Sequence, residues 1–330
     1  MAVPTMTIPI KKETQASRNP FPFSDTNKRY HTWDYALRQR FGGKVCKISL
    51  DGGFSCPNID GTRGKGGCTY CAYAFRRQTP ETLLEQFHRE QALLHKKWPD
   101  ARRYIPYFQA NTNTYAPLPE LKAKYETVLG EEGVVGLSIA TRADALPEEV
   151  CDYLESLKAR TWVMVELGLQ TVHDETARRI NRGHTMAEFL EGYDKLRRRG
   201  IPVCIHIING LPGETREMML ETARQVAALK PDCLKIHLLH VIRDTPMAEE
   251  YLRGEFRTLE LSEYVDIVCS QLELLPPETI LQRVTGDGLR ESLIAPLWSL
   301  KKLVVMNEID KELLRRDSWQ GKKHGGSEDV

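Results

Sequence analysis

The feature that most constrains the fold of this 330-residue chain is a regular alternation of short apolar runs with longer amphipathic runs. The predicted strands are 45–50, 103–109, 134–140, 162–167, 202–208 and 233–239, and the predicted helices between them are 81–98, 118–129, 147–157, 186–199 and 214–229. Successive β/α units imply a parallel sheet with right-handed crossovers. Six such units fit an open doubly wound sheet or a complete or partial barrel.

Side-chain alternation within the predicted strands favours the barrel. Lys235 and His237 share one face of their strand, and Glu166 shares a face with Met164 and Gly168. Charged side chains would be costly between a sheet and packed helices, whereas a lumen that holds a ligand accommodates them. We therefore predict an α/β fold built on a partial (β/α)6, TIM-like barrel, with an N-terminal arm and a C-terminal helical extension.

Composition and charge indicate a folded globular protein with four segments. Hydrophobic residues make up 41% of the chain, and 46 basic residues balance 45 acidic ones. Because no apolar run has the length of a membrane helix and the start has no apolar signal-peptide core, we expect a cytoplasmic protein without membrane contact. The predicted segments are a basic N-terminal arm over 1–43, the core barrel over 44–254, a C-terminal extension over 255–320 and a disordered tail over 321–330.

Three of the eight cysteines lie together on one predicted loop. Cys56, Cys68 and Cys71 form a C-x11-C-x2-C pattern directly after the first strand, at the strand end where α/β barrels build active sites. Structural zinc normally has four ligands, whereas a [4Fe–4S] cluster held by three cysteines leaves one iron open. A zinc knuckle with a histidine as fourth ligand is the alternative. The remaining cysteines are predicted to be small buried hydrophobes: Cys46, Cys151, Cys204, Cys233 and Cys269.

The cysteine loop resembles that of the radical SAM superfamily, in which an aromatic residue precedes the last cysteine, as Tyr70 does here. The long first gap is similar to the elongator catalytic-subunit family and to its bacterial YhcC-like relatives, and the chain has no room for the elongator acetyltransferase domain. The resemblance runs from about Tyr30 to Leu303. Further matching segments follow the predicted strands at 107–114, 140–144, 166–171, 181–184 and 209–214.

The resemblance implies a [4Fe–4S] cluster on Cys56, Cys68 and Cys71, and S-adenosylmethionine (SAM) bound at the open iron. Reductive cleavage of SAM, with an electron from a donor such as flavodoxin or ferredoxin, would give a 5′-deoxyadenosyl radical that abstracts hydrogen from a substrate. The superfamily's usual Gly-Gly-Glu after strand two is absent here, and residues 109–114 replace it. The candidate cofactor-binding residues are Tyr70, Gln109, Asn111, Glu166, Gly210 and Glu214.

Several other polar residues have both a structural and a functional interpretation. His206, Lys235 and His237 are either satisfied structural groups or ligand contacts. Arg142 and Asp144 either form an ion pair that fixes a loop or contact ligand. The basic run 197–199 ends a helix, where cations complement the helix dipole, so we favour that role over RNA contact.

The N-terminal arm suggests an RNA substrate, most plausibly tRNA. Residues 1–50 carry nine basic side chains against three acidic ones. Basic groups neutralise phosphates and aromatic rings stack on unpaired bases, and both types lie together in the arm and at the start of the first strand: Lys28, Arg29, Tyr30, His31, Trp33, Tyr35, Arg38, Arg40, Lys44 and Lys47. The alternative is an arm whose aromatic residues close the bottom of the barrel. For the whole chain, the alternatives to a radical SAM enzyme are a zinc-stabilised nucleic-acid-binding module and a metal-free barrel enzyme.

Overall fold

A computed structural model describes residues 19–72, 80–286, 288 and 290–325. Seven parallel strands form one curled half-barrel sheet in the order β1-β2-β3-β4-β5-β6-β8. The strands are β1 (Val45–Leu50), β2 (Arg103–Phe108), β3 (Gly136–Thr141), β4 (Trp162–Gln170), β5 (Val203–Asn209), β6 (Cys233–Leu238) and β8 (Ile280–Arg283). Two short strands, β7 (Val241–Ile242) and β9 (Leu293–Ala295), form a separate antiparallel ribbon.

Helices follow the strands and cover the outer face of the sheet. Their bounds are α1 (Trp33–Phe41), α2 (Leu83–Lys97), α3 (Leu118–Leu129), α4 (Glu148–Lys158), α5 (Asp174–Arg179), α6 (Met186–Arg198), α7 (Arg216–Leu229), α8 (Pro246–Leu252), α9 (Leu261–Leu274) and α10 (Lys302–Arg315). Local sequence fixes several starts, since Thr82 and Thr185 form capping boxes with Glu85 and Glu188. None of the described helices is long and apolar enough to cross a membrane.

The burial pattern of the strands confirms the predicted α/β half-barrel. Outward-facing residues such as Ile48, Ile139 and Val165 are fully buried against the helices, while the inward positions between them carry polar groups. A seventh strand, β8, lies inside the segment predicted as a helical extension and pairs in parallel with β6. With only four residues, β8 is too short to show a strand periodicity of its own.

Helix α1 closes the N-terminal end of the barrel. The ring centroid of Trp162 lies 5.9 Å from that of Trp33 and 6.2 Å from that of Phe41. Leu37 is buried beside Val45 and Ile105. The aromatic residues of the described arm therefore pack against the barrel.

Five of the six basic residues predicted to contact phosphate have acidic partners within the protein. Ion pairs within the protein hold Lys28 to Asp310, Arg29 to Asp317, Arg38 to Asp25 and Asp34, Lys44 to Asp34, and Lys47 to Glu166. The prediction that Lys47 contacts RNA is wrong, because it lies inside the barrel. Of the six basic residues proposed there, Arg40 alone has no acidic partner in the described ranges, and its guanidinium lies 5.9 Å from the Trp162 ring.

Both chain ends extend beyond the described residues. Residues 1–18 of the predicted arm and residues 326–330 of the predicted tail lie outside them. Residues 321–325 of the tail form turns, and the Gly321 amide donates to the Leu272 carbonyl at 3.0 Å. The segment boundaries at 43, 254 and 320 stay predictions.

Candidate active site

The three clustered cysteines lie on the loop that follows β1, at the C-terminal end of the barrel. Cys56, Cys68 and Cys71 are half-buried, and all three are thiols. Each stands at a turn, since the Cys56 carbonyl accepts from the Ile59 amide at 2.8 Å and the Cys68 carbonyl accepts from the Cys71 amide at 2.9 Å. Residues 73–79, which follow Cys71 after a single intervening residue, lie outside the described residues.

Asn58 fixes this loop to the segment after β4. Its Nδ2 donates to the Asn181 carbonyl at 2.5 Å and lies 3.7 Å from Cys68 Sγ. Asn181 Nδ2 returns a hydrogen bond to the Gly67 carbonyl at 2.7 Å. Gly183 has φ of +75°, and a Cβ there would lie 2.4 Å from Asn58 Oδ1. Glycine is therefore required at this close approach.

The surroundings of the cysteines suit a bound metal centre. Burial raises the pKa of the Cys68 thiol to about 11, and Cys71 adds to the rise while Arg142 opposes it. A bound metal centre would remove the protons of these thiols and would stabilise their thiolates. Three buried oxygen atoms nearby, Asn58 Oδ1, Thr69 Oγ1 and Asn111 Oδ1, find no hydrogen-bond partner among the residues that the structure describes. Such atoms are expected where a ligand belongs.

Arg142 and Asp144 form the ion pair that the sequence allowed, with nitrogen–oxygen distances of 2.9 and 2.8 Å. Arg142 also donates to the Arg182 carbonyl at 2.6 Å. Arg182 is almost fully buried, and its Nη1 donates to the carbonyls of Leu169 and Thr171 at 2.6 Å each. These arginines therefore hold the loops after β3 and β4 beside the cysteine loop.

The predicted cofactor residues occupy two levels of the barrel. Tyr70 packs into an apolar cluster with Ile208 and Leu211, which brings the cysteine loop to the turn after β5. In that turn Gly210 has φ of +87°, and Glu214 accepts from Thr171 Oγ1 at 2.5 Å. Burial raises the pKa of Glu214.

On β2 and its loop, Gln109 is exposed and Asn111 has φ of +59°. Asn111 Nδ2 donates to the Phe54 carbonyl at 2.9 Å, next to the cysteine loop. The structure thus places Tyr70, Asn111, Gly210 and Glu214 around the C-terminal rim. Their contacts with SAM stay predictions.

Glu166 lies deeper, at the centre of a polar layer to which each of the seven barrel strands contributes one side chain. Its carboxylate is fully buried and accepts from Lys47 and Ser138, from His206 Nε2 at 2.8 Å and from Lys235 Nζ at 2.5 Å. We call this set the lumen layer: Lys47, Tyr107, Ser138, Glu166, His206, Lys235 and Gln282. A direct contact between Glu166 and SAM stays a prediction.

Electrostatics within the lumen layer fix its charges. Burial alone would raise the pKa of Glu166, but Lys235 and Lys47 hold it well below its ordinary value. Burial lowers the pKa of Lys47 to about 8 and that of His206 to about 4. Burial also disfavours the charged form of Lys235, but the neighbouring Glu166 carboxylate outweighs burial and raises the pKa of this lysine above its ordinary value. At neutral pH the layer therefore holds two ammonium groups, one carboxylate and a neutral imidazole.

Sequence reasoning missed part of this site. Lys47 was assigned to the arm, and Tyr107, Ser138, Gln282 and Asn58 had no predicted site role. For Lys47 and Ser138, the signal was available in the inward alternation of β1 and β3. Ligand atoms of Glu166, Cys204 and His206 also lie within 4.8 Å of one another, but the two ammonium groups on Glu166 oppose a cation there.

The half-barrel fold, with three cysteines on one loop at the C-terminal ends of the strands, is typical of the α/β-barrel enzymes that bind an iron–sulfur cluster. The radical SAM superfamily profile matches residues 59–226, and the Radical_SAM C-terminal domain profile matches residues 231–315. The chain belongs to the radical SAM superfamily and is a radical SAM enzyme. The resemblance inferred from the cysteine loop is thereby confirmed.

Two relatives match this chain over most of their length, and a third matches over a shorter segment. The chain is 53% identical to the uncharacterized protein YtqA of Bacillus subtilis, over 92% of this chain and 95% of that protein. It is 39% identical to protein YhcC of Escherichia coli, over 84% and 90%. Over 48% of this chain and 29% of the relative, it is 29% identical to a tRNA uridine(34) acetyltransferase of Methanocaldococcus jannaschii.

The fold is also that of Elp3 from the archaeon Methanocaldococcus infernus. That structure, with residues 1–46 deleted, aligns with a TM-score of 0.64 at 18% identity, over 84% of this chain and 64% of the archaeal one.

Proposed function

We propose that Cys56, Cys68 and Cys71 hold a [4Fe–4S] cluster whose fourth iron binds SAM, and that the substrate is a tRNA. The observation that carries the cluster assignment is the convergence of three half-buried thiols at the C-terminal end of the barrel strands. A flavodoxin or ferredoxin would supply the electron. When bound, the cluster and SAM together supply a carbon-centred radical for hydrogen abstraction.

The protein's own residues hold and shield these groups. Asn58, Arg142 and Arg182 fix the cysteine loop against its neighbours. Gly210 lets the backbone after β5 approach the cofactor closely, and Glu214 offers a carboxylate at the same turn. The lumen layer below closes the barrel toward α1, which limits the access of water to the reaction.

The spacing of the sulfur atoms supports a cluster over zinc. In the described chain, the only His, Cys, Asp or Glu trio with ligand atoms within 4.8 Å of one another is Glu166, Cys204 and His206. At least two of the three clustered sulfurs therefore lie more than 4.8 Å apart. A tetrahedral zinc ion would hold them about 3.8 Å apart, given a Zn–S bond of about 2.3 Å.

Anaerobic reconstitution of wild-type protein and of single Cys→Ala variants tests the cluster. We expect each change at Cys56, Cys68 or Cys71 to remove most iron and sulfide and to abolish the formation of 5′-deoxyadenosine from SAM. Cys151→Ala and Cys269→Ala are matched controls, because both thiols are fully buried in helices away from the loop. Full iron and SAM cleavage in the three loop variants, or zinc as the sole metal, would refute the assignment.

The tRNA assignment is supported by the similarity to the tRNA uridine(34) acetyltransferase. Its test is mass spectrometry of nucleosides in tRNA from cells that lack the gene, before and after incubation with holoenzyme, SAM and a reductant. We expect one nucleoside to be converted and 5′-deoxyadenosine formation to rise with tRNA, but not with ribosomal RNA. Unchanged nucleosides, together with a rate of SAM cleavage that does not depend on tRNA, would exclude tRNA as the substrate.

A further inference from the structure

Inward-facing residues at and above the lumen layer remain partly accessible to solvent. His206 on β5 and His237 on β6 face inward and are partly exposed, whereas their neighbours Ile205 and Ile236 are fully buried. The inward position Gly168 on β4 is also partly exposed. Because α1 closes the opposite end, a ligand enters this space from the C-terminal rim.

The charge of the lumen layer is unbalanced. Lys47 and Lys235 face a single carboxylate, that of Glu166, which leaves one positive charge in a largely buried place. Burying an uncompensated charge is costly. Each ammonium has three donors, and two are used: Lys47 contacts Glu166 and Gln282, and Lys235 contacts Glu166 and Tyr107. Lys235 therefore keeps a donor for a ligand. The Lys47 ammonium, by contrast, also lies 4.0 Å from the ring centroid of Tyr107 and 5.2 Å from that of Trp33.

His237 provides a second, independent sign of a missing partner. Its Nε2 is buried, and no described residue offers it a hydrogen bond. The His237 and His206 rings lie 5.2 Å apart, and Arg283 on β8 pairs in register with Lys235. Burial lowers the pKa of His237, and the largest charge effects on it all come from basic groups: His206, Arg283, Lys235 and His240.

We propose that Lys235 and His237 bind an anionic group of the substrate, namely a carboxylate. The single excess charge of the layer matches a monoanion rather than the dianion of a phosphate monoester. A carboxylate can accept from the spare donor of Lys235 and from His237. This assignment rests on the proposed function, because it places the substrate in the lumen beside the cysteine loop.

Acetate serves as the probe, and its binding requires no turnover. Thermal unfolding of the anaerobic holoenzyme is followed as acetate replaces chloride at constant ionic strength, since a ligand of the native state raises the melting temperature. We expect a saturable rise for wild type. In His237→Leu, the half-saturating acetate concentration should increase by at least about tenfold, which is the size of a lost charge-assisted hydrogen bond. His88→Leu, at an exposed histidine on α2, should match wild type.

A second variant separates anion binding from folding. Glu166→Gln removes the competing carboxylate, so it should lower the melting temperature without ligand and at the same time lower the half-saturating acetate concentration. A merely structural layer would lose stability without any gain in acetate affinity, and that result overturns the proposal. Equal effects of acetate and chloride, or tighter binding of inorganic phosphate, would also overturn it.

SAM also carries a carboxylate, which is the alternative ligand for this site. We expect His237→Leu to keep wild-type affinity for SAM; an equal loss of SAM and acetate affinity would assign the site to the cofactor and overturn the substrate proposal. Failure of wild-type protein to hold iron or cleave SAM would instead reject the proposed function. The acetate titration by thermal unfolding does not depend on SAM cleavage, so it tests the lumen site whether or not the proposed function holds.

Discussion

The two ends of the barrel are built on opposite principles. At the N-terminal end, Trp33, Phe41 and Trp162 pack ring against ring and Leu37 fills the space between α1 and the strands. At the C-terminal rim, buried amide oxygens of Asn58 and Asn111 have no partner among the described residues. The rim also carries left-handed backbone at Asn111, Gln170, Asn181 and Gly210.

This difference separates stability from function. At the N-terminal end, the apolar side chains bury one another's surface, so this packing stabilises the fold without a ligand. Unpaired polar atoms and strained backbone lower stability, and they persist where surrounding structure holds them for a ligand. The lumen layer lies between the two ends and combines both roles. Variants at each level therefore have different expected effects.

The largest effect on stability is expected at Glu166. Glu166→Leu would leave Lys47 and Lys235 buried without a carboxylate, and such a loss costs about 3–5 kcal/mol. Urea unfolding measures it. Glu308→Leu on α10 is the control, because its carboxylate pairs with the exposed Lys311 of the same helix, and it should cost less than about 1 kcal/mol. Equal losses in the two variants would show that the layer contributes no special stability.

At the lower end, Leu37→Ala should reduce the free energy of unfolding by about 3 kcal/mol, because it leaves a cavity against Val45 and Ile105. Iron content and SAM cleavage should match wild type at a temperature where the variant is folded. A folded variant with reduced SAM affinity would contradict the separation of the two ends.

The pH dependence of stability should report on His206. Its pKa is about 4 in the folded protein, below the ordinary 6.5, because burial and Lys235 disfavour its charged form. Between these values the unfolded chain binds more protons, so stability falls by about 2 kcal/mol as pH drops from 6.5 toward 4. His206→Gln should flatten this slope in urea unfolding, and His88→Gln should not. Parallel profiles for all three proteins would disprove the assignment.

At the rim, Gly210→Ala and Gly254→Ala form a matched pair. Both glycines have left-handed backbone, with φ of +87° and +77°, but Gly254 has open space around it. Each substitution should cost about 1–2 kcal/mol of stability. Only Gly210→Ala should also weaken SAM binding, measured by equilibrium dialysis with cluster content unchanged. Equal SAM affinity in both variants would remove Gly210 from the cofactor site.

The smallest effect is expected on the arm. Arg38 is paired with Asp25 and Asp34, and Arg40 lies against the rings of the lower end. The double variant Arg38→Glu, Arg40→Glu should therefore leave tRNA affinity and its dependence on salt unchanged. A phosphate contact would flatten the salt slope by about one unit per residue removed, and such a change would restore the arm as an RNA contact.

The sequence alone determined the features that depend on local patterns. Periodicity placed six barrel strands within three residues of their observed bounds, with β1 over Val45–Leu50 as predicted. The spacing of Cys56, Cys68 and Cys71, with Tyr70 before the last, indicated the superfamily. Alternation also placed Lys235 and Glu166 on inward faces. Periodicity, cysteine spacing and side-chain alternation each depend on residues that are close in sequence, so these features are predictable without the tertiary contacts.

Only the tertiary structure decided which distant residues meet. Lys47 and Glu166 are 119 residues apart, and their contact depends on the register of four consecutive strands around the curved sheet. β8 became a strand because the edge of β6 offered it hydrogen bonds, which four residues do not specify by themselves. From the sequence, the basic arm is predicted to face solvent. In the folded chain, Asp310 and Asp317 from the other end of the sequence form ion pairs with Lys28 and Arg29 of the arm. Side-chain charge is local information, whereas its compensation is a property of the folded chain.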